Sequence, residues 1–241
     1  MGVSDNLIAI DKYSAEIEGV SKDLVQFDLM KPDTEQIIAL NPDIVFVTSM
    51  SNAGGDDVYK SVRDAGVCVV AVPSAASIDE IIKSIDFIGN ILNTQEKSDE
   101  IIENMNSEID KIKEISAGIQ EKKTVYFEIG SSPKLYTLGK NTFINEMIEI
   151  VGAENVFSDQ DSWITVSEEA VLTANPDVIL TNVGYDENPV ETIYARENWK
   201  NINAIKDKQV FFIEKNPSSL SSQNVIVALK QIAESVYPEL Y

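Results

Sequence analysis

Residues 94–122, TQEKSDEIIENMNSEIDKIKEISAGIQEK, decide how the rest of the chain is read. The stretch holds no proline and one glycine, Gly118, and Ile101, Ile102, Met105, Ile109, Ile112, Ile115 and Ile119 recur along one stripe. Glu, Asp, Lys and Asn fill the remaining positions, the pattern of an amphipathic helix. The spacing predicts one continuous helix over 94–122. At ~1.5 Å per residue it would be roughly 40 Å long, longer than a small domain is wide, and so a bridge between two bodies.

The flanking sequence supports that division. Residues 35–48 read EQIIALNPDIVFVT and residues 169–181 read EAVLTANPDVILT. In each, a glutamate is followed six positions later by Asn-Pro-Asp and then by a β-branched run, so one supersecondary unit stands on either side of the long helix. The expected organisation is a first lobe over 1–93, the bridging helix over 94–122 and a second lobe over 123–241.

With 241 residues and 44% hydrophobic content the chain can bury substantial cores. No apolar run is long enough to span a membrane, and the N-terminus lacks the sections of a signal peptide. An exported form would have lost its signal. The formal net charge of −21, with Arg63 and Arg196 the only arginines, argues against a nucleic-acid partner. The single cysteine, Cys68, lies in the apolar run VCVVAV and reads as a buried core residue. There is no histidine. That removes Ser-His-Asp and Cys-His catalysis and the commonest metal ligand, so no catalytic residue, metal site or cofactor is expected.

In chain order, residues 7–10 form a short strand, followed by a loop with Lys12 and Tyr13. Asp33-Thr34-Glu35-Gln36 resembles a capping box opening a helix that Pro42 ends. Strands over 44–48 and 67–72 flank a helix over 56–65, and a helix over 78–92 leads to the bridge. The second lobe repeats the scheme. A strand over 124–129 leads to a loop over 130–139 that carries Tyr136, then to a helix over 142–151. Ser167 caps the helix before Asn175-Pro176-Asp177. Strands over 178–181 and 210–213 follow, with a polar loop over 216–223 and a last helix over 225–236. Alternating strands and helices predict an α/β fold of two Rossmann-like lobes with mainly parallel sheets. Ligands of such sheets bind beyond the carboxyl ends of the strands. The loops expected to line a cleft between the lobes are 11–13, 49–52, 73–74, 130–136, 183–185 and 214–216, whose aromatic members are Tyr13, Tyr136 and Tyr185.

These pieces, together with YTLGKNTFINEMIEIVGAENVF, SWITVSEEAVLTANPDVIL and NWKNINAIKDKQVFFI, resemble in order and spacing the substrate-binding proteins of ABC importers for iron-siderophores, cobalamin and haem. The resemblance covers nearly the whole chain. It implies an extracytoplasmic protein, periplasmic or a cell-surface lipoprotein, that closes two lobes over a metal chelate and delivers it to a membrane permease. It implies that Glu35 and Glu169 meet arginines of the permease; from the residues alone, each also serves as an acid at a helix N-terminus. The aromatic positions that line the cleft in cobalamin binders match Tyr13 in IDKYS, Tyr136 in YTLGK and Trp163; otherwise these side chains are loop packing. Trp199 matches a structural tryptophan.

The chain departs from the family pattern twice. The strand and helix with SP-x-x-TE that usually precede the stretch matching residues 7–13 are not seen, so the first lobe is expected to be truncated, rebuilt or completed by another chain, and otherwise monomeric. The arginine frequent after the strand matching 210–213 is also absent, and Lys215 stands there instead. A ferric catecholate wants bidentate arginines, whereas the cleft offers Lys12, Lys134, Lys215 and Arg196. That lowers the catecholate reading; a ferric siderophore ranks first as ligand, a corrinoid second and haem third. The rival class is a two-lobed Rossmann-like enzyme such as a nucleotide-sugar transferase. Against it, the sequence contains neither GxGxxG nor GxxxxGK[ST].

Overall fold

The structure, a computed structural model, describes residues 1–17, 19–29, 31–48, 57–131 and 134–241. It divides into two compact units. Unit 1 comprises residues 1–74 and 89–97, and unit 2 comprises 75–88 and 98–241.

In unit 1, β1 (Ala9–Asp11) pairs in parallel with β2 (Val25–Phe27). The expected strand over 7–10 is therefore shifted toward Asp11, and Leu7 and Ile8 are exposed. Strand β2 had no counterpart in the sequence analysis. Helix α1 (Thr34–Ala39) begins where expected, with Asp33 Oδ1 accepting from the Gln36 N–H at 3.0 Å. Asn41, in the left-handed region at φ 48°, closes it ahead of Pro42. Strand β3 (Ile44–Thr48) coincides with its expected bounds. Helix α2 (Lys60–Asp64) connects it to β4 (Cys68–Val72), its parallel partner.

Ile37, Val47, Tyr59 and Val62 form the core of this unit, with Val45, Val67 and Val69 packed against it. Because side chains alternate along a strand, Phe46 and Cys68 fall on the other face, where Phe46 is 40% exposed. Cys68 is exposed, which corrects the expectation of a buried thiol. Its apolar run is covered on one face, and Cys68 belongs to the other.

Helix α3 (Ile78–Ile91) and helix α4 (Gln95–Ser116) are separated by Asn93 in the left-handed region at φ 55°. Helix α4 is shorter than the sequence suggested, 22 residues or about 33 Å. Its end tightens through the Gly118 N–H to Ile115 O and the Ile119 N–H to Ser116 O, so Ile119 lies outside the helix. Of the expected stripe, Met105, Ile109 and Ile112 are buried while Ile115 is exposed.

Unit 2 is built on a four-stranded parallel sheet in the order β10-β9-β5-β7. These strands are β5 (Thr124–Glu128), β7 (Glu154–Asn155), β9 (Val178–Thr181) and β10 (Val210–Phe212). Strand β9 is buried at every position, as a parallel sheet covered on both faces requires. At its start, Asp177 Oδ2 accepts from the Thr124 N–H at 2.9 Å and the Thr124 hydroxyl at 2.8 Å, locking β5 to β9. An antiparallel pair, β6 (Leu135–Leu138) and β8 (Trp163–Val166), lies outside that sheet. Tyr136 is thus on a strand, not in the expected loop over 130–139. Helices α5 (Phe143–Ile150), α6 (Glu168–Ala174), α7 (Pro189–Tyr194), α8 (Asn203–Lys206), α9 (Lys215–Ser219) and α10 (Val225–Val236) complete the unit. The expected loop over 216–223 begins as α9. Trp199 is fully buried, edge-on to Tyr126 with ring centroids 6.0 Å apart, in the structural place expected of it.

Candidate functional site

The carboxyl ends of β5, β9 and β10 release three segments on unit 2: Ile129 to Ser131, Asn182 to Tyr185, and helix α9. With Trp163 at the start of β8 and Ile144 on α5, they line a half-open cavity of about 230 Å³. Its lining is Ile129, Ile144, Trp163, Asn182, Gly184, Tyr185, Lys215 and Ser219. Parallel strands end together, so residues far apart in sequence meet at one edge of the sheet.

Three of the sequence-derived ligand residues therefore come together: Trp163, 51% exposed, Tyr185, 66% exposed, and Lys215. Tyr185 is held by the Ser131 N–H, which donates to its hydroxyl at 2.8 Å. Tyr136 is a neighbour rather than a lining residue. Its ring lies over Gly130, where an added Cβ would stand 3.2 Å from Tyr136 Cδ2, and Gly130 follows the lining residue Ile129. Tyr13 belongs to unit 1, just past β1, and is 71% exposed. Asp11 Oδ1 accepts from the Tyr13 and Ser14 N–H groups at 2.9 and 3.2 Å and shapes that turn. Residues 49–52 lie outside the described residues.

The expected cations fall into different roles. Lys12 is paired with Asp28 at 2.6 Å, and that hydrogen bond and charge raise its pKa. Arg196 is withdrawn from any ligand role. Its two terminal nitrogens each donate at 2.7 Å to the carboxylate of Glu128, which is buried, and its guanidinium lies 4.3 Å from the centre of the Trp199 ring. Burial opposes the Arg196 charge, but the Glu128 hydrogen bonds and charge outweigh it and leave its pKa raised. Glu128 also accepts from the Tyr126 hydroxyl at 3.3 Å. Such a bidentate buried pair fixes the segment after α7 to the end of β5. Lys215 is in no ion pair among the described residues.

Gly184 lies in the expected cleft loop 183–185, whereas Ile129, Ile144, Asn182 and Ser219 were not singled out. The run Asn182-Val183-Gly184 directly after the apolar strand β9 was a usable signal, since the first residues past a parallel strand face the ligand edge. Asn182 Nδ2 donates to Ser218 Oγ at 2.9 Å and Ser219 Oγ at 3.1 Å, which ties α9 to the end of β9.

Glu35 and Glu169 are each the second residue of a helix, α1 and α6, and both are exposed. Their caps correspond: Asp33 for α1, and for α6 Ser167, whose Oγ accepts from the Ala170 N–H at 3.2 Å. The Glu169 carboxyl is held below its usual range by its own backbone N–H and then by the Ser167 hydroxyl. Among the described residues no group of three or more His, Cys, Asp or Glu side chains is placed to hold a metal ion. None of the described helices is long and apolar enough to cross a membrane.

Against known proteins, the family model described as "Periplasmic binding protein" matches residues 1–217. An uncharacterized ABC transporter substrate-binding lipoprotein of Bacillus subtilis, YvrC, is 32% identical over 246 residues, spanning 100% of this chain and 76% of that protein. The molybdate-binding protein MolA of Haemophilus influenzae is 29% identical over 210 residues, spanning 77% of this chain and 57% of that protein. Among solved structures, a possible iron-binding (periplasmic solute-binding) protein from Staphylococcus epidermidis superposes with a TM-score of 0.85 at 29% identity. That match covers 98% of this chain and 92% of the other.

Proposed function

Since the chain belongs to the periplasmic binding protein family and is a substrate-binding protein of ABC-transporter type rather than an enzyme, we propose that its substrate is a ferric chelate of siderophore type, bound outside the cytoplasm and delivered to a membrane permease. The observation that carries this is the unit 2 cavity, whose lining brings Trp163 and Tyr185 together with Lys215. Flat apolar walls with one cation suit a bulky chelate that carries its own metal, and they ask for no protein ligand to iron. The likeness to a solved protein described as possibly iron-binding supports the same choice.

Ligand pockets commonly run ~300–1,000 Å³, so a cavity of about 230 Å³ takes part of such a chelate and leaves the rest outside that cavity. Tyr136 and Tyr13 are proposed as further contacts for that remainder. Glu35 and Glu169 are proposed as the acids that meet the permease, and the protein as acting singly.

Native mass spectrometry of protein purified from its own host tests the assignment. A retained mass of an iron chelate is expected. A retained corrinoid or haem would replace it by one of the alternatives, and protein that arrives empty and takes up no ferric chelate would refute it.

A further inference from the structure

Lys215 and Gly184 stand in an unusual relation. A Cβ built on Gly184 would lie 2.6 Å from Lys215 Cδ and 3.6 Å from its Cγ and Cε. The aliphatic stem of the lysine therefore occupies the space that any other residue at 184 would claim, and it crosses the loop after β9 through the gap left by the missing side chain. Both residues line the cavity. Several other cations of unit 2 are engaged, Lys111 and Lys230 with Glu108, Arg196 with Glu128, and Lys123 with the Val236 carbonyl at 2.6 Å, and among the described lining residues of this cavity Lys215 is the cation. Lys215 has no such partner among the described residues.

A second donor lines the same cavity. Ser219 Oγ accepts from Asn182 Nδ2 at 3.1 Å, which orients the hydroxyl and leaves its proton to be donated elsewhere. The neighbouring Ser218 hydroxyl instead donates to the Glu214 carbonyl at 2.7 Å and faces into α9. Among the described residues, a cation and a hydroxyl thus border one small space whose lining includes no carboxylate, in a chain whose net charge is −21.

We propose that this cavity reads one anionic oxygen group of the bound chelate, a carboxylate or comparable oxyanion, with Lys215 as the cation, Ser219 as the neutral donor and Gly184 as the positioning residue that gives Lys215 its path. The inference rests on the cavity being the ligand site. The ligand class it names is a chelate of low negative charge. One cation in an acidic molecule attracts a single anionic group through a charge-assisted hydrogen bond, whereas a polyanionic chelate would meet the surrounding negative field.

A matched pair of probes separates this from the broader assignment: ferrioxamine acylated on its terminal amine with acetate, which is neutral, or with succinate, which adds one carboxylate. By titration calorimetry the unaltered protein is expected to bind the succinyl form about tenfold more tightly, the scale of one charge-assisted contact. Lys215→Gln should bring the two affinities together, Lys215→Arg should keep most of the preference, and Gly184→Ala should lose it with no matching loss toward the acetyl form. That differential is one a merely destabilised fold would not produce, and Lys215→Gln carries the test if Gly184→Ala folds poorly. Equal affinity for both probes in the unaltered protein overturns the anion inference and leaves the iron-chelate assignment standing. A preference that persists in Lys215→Gln overturns it as well, and one that persists in Gly184→Ala alone removes Gly184 from its role. Binding of neither probe ends the assignment and the inference together.

Discussion

The backbone N–H of Ser131 donates to the hydroxyl of Tyr185 at 2.8 Å, so the turn that leaves β5 fixes a ring carried by the loop that leaves β9. The aromatic wall is thereby set before any ligand arrives, which lowers the ordering cost of binding. Tyr185→Ala should weaken ferric-chelate binding by about 1 kcal/mol, the size of one aromatic contact. Tyr185→Phe keeps the ring and loses only the pin, so its effect should be less than half as large. Calorimetry on both variants checks the order, and a phenylalanine variant as weak as the alanine one would show that the pin, not the ring, matters.

Glu35 and Glu169 occupy equivalent second positions of α1 and α6. Changing both to lysine should abolish uptake in cells while leaving chelate affinity within about twofold. The reversed charge also sits poorly at a helix N-terminus. The glutamine double variant, which removes charge without reversing it, controls for that cost and should reduce uptake less. Normal uptake by the lysine double variant would exclude a docking role.

Glu108 on α4 meets Lys111 on its own helix and Lys230 on α10. Hydrogen bonds from Lys111 first and Lys230 second hold its carboxyl down to about 2, against 4.5 for an unperturbed glutamate. A depressed folded-state pKa contributes stability that is fully present above the unfolded value and lost as pH falls through the folded one. Glu108→Gln should therefore lower the melting temperature at pH 7, and the gap should close between pH 4.5 and about 2. Melting curves across that range decide it. A gap that stayed constant down to pH 2 would mean that the two lysines do not act on Glu108 through its charge.

Among the described residues the buried apolar side chains of unit 1 are Ile37, Val47, Tyr59 and Val62, whereas in unit 2 β9 is buried throughout and β5 at four of its five positions. Local opening is cheaper where fewer apolar contacts must break. Amides of β3 and β4 should thus exchange faster than those of β5 and β9 in the intact chain. Equal protection, measured by hydrogen exchange with mass spectrometry, would contradict the expected difference in stability.

The repeat was legible because it is chemical as well as periodic. Asn41 and Asn175 of the two Asn-Pro-Asp motifs adopt the same left-handed backbone, φ 48° and 45°, each ending a helix before a strand. The bounds of β3 were clear for a related reason, a β-branched run bracketed by Pro42 and polar residues. The pair β6 and β8 escaped notice because LYTL and WITV are four residues each and find one another only through tertiary pairing. At the site, Tyr185 and Lys215 could be nominated from loop position, and Trp163 only from the family resemblance. The Gly184 slot could not, because a steric gap between distant residues leaves no periodic trace. Arg196 looked like a free cation because its partner Glu128 ends the apolar strand TVYFE, where a buried acid was a signal that went unused.

Trp163 gives the most direct measurement of whether the unit 2 cavity is the chelate site, because it is exposed there while Trp199, the other tryptophan, is fully buried. Titration with acylated ferrioxamine should quench the intrinsic fluorescence saturably. Trp163→Ala should abolish most of that quenching and weaken the affinity, followed by equilibrium dialysis, by about 1–3 kcal/mol. Unchanged affinity in the Trp163→Ala protein would place the chelate elsewhere and contradict the account.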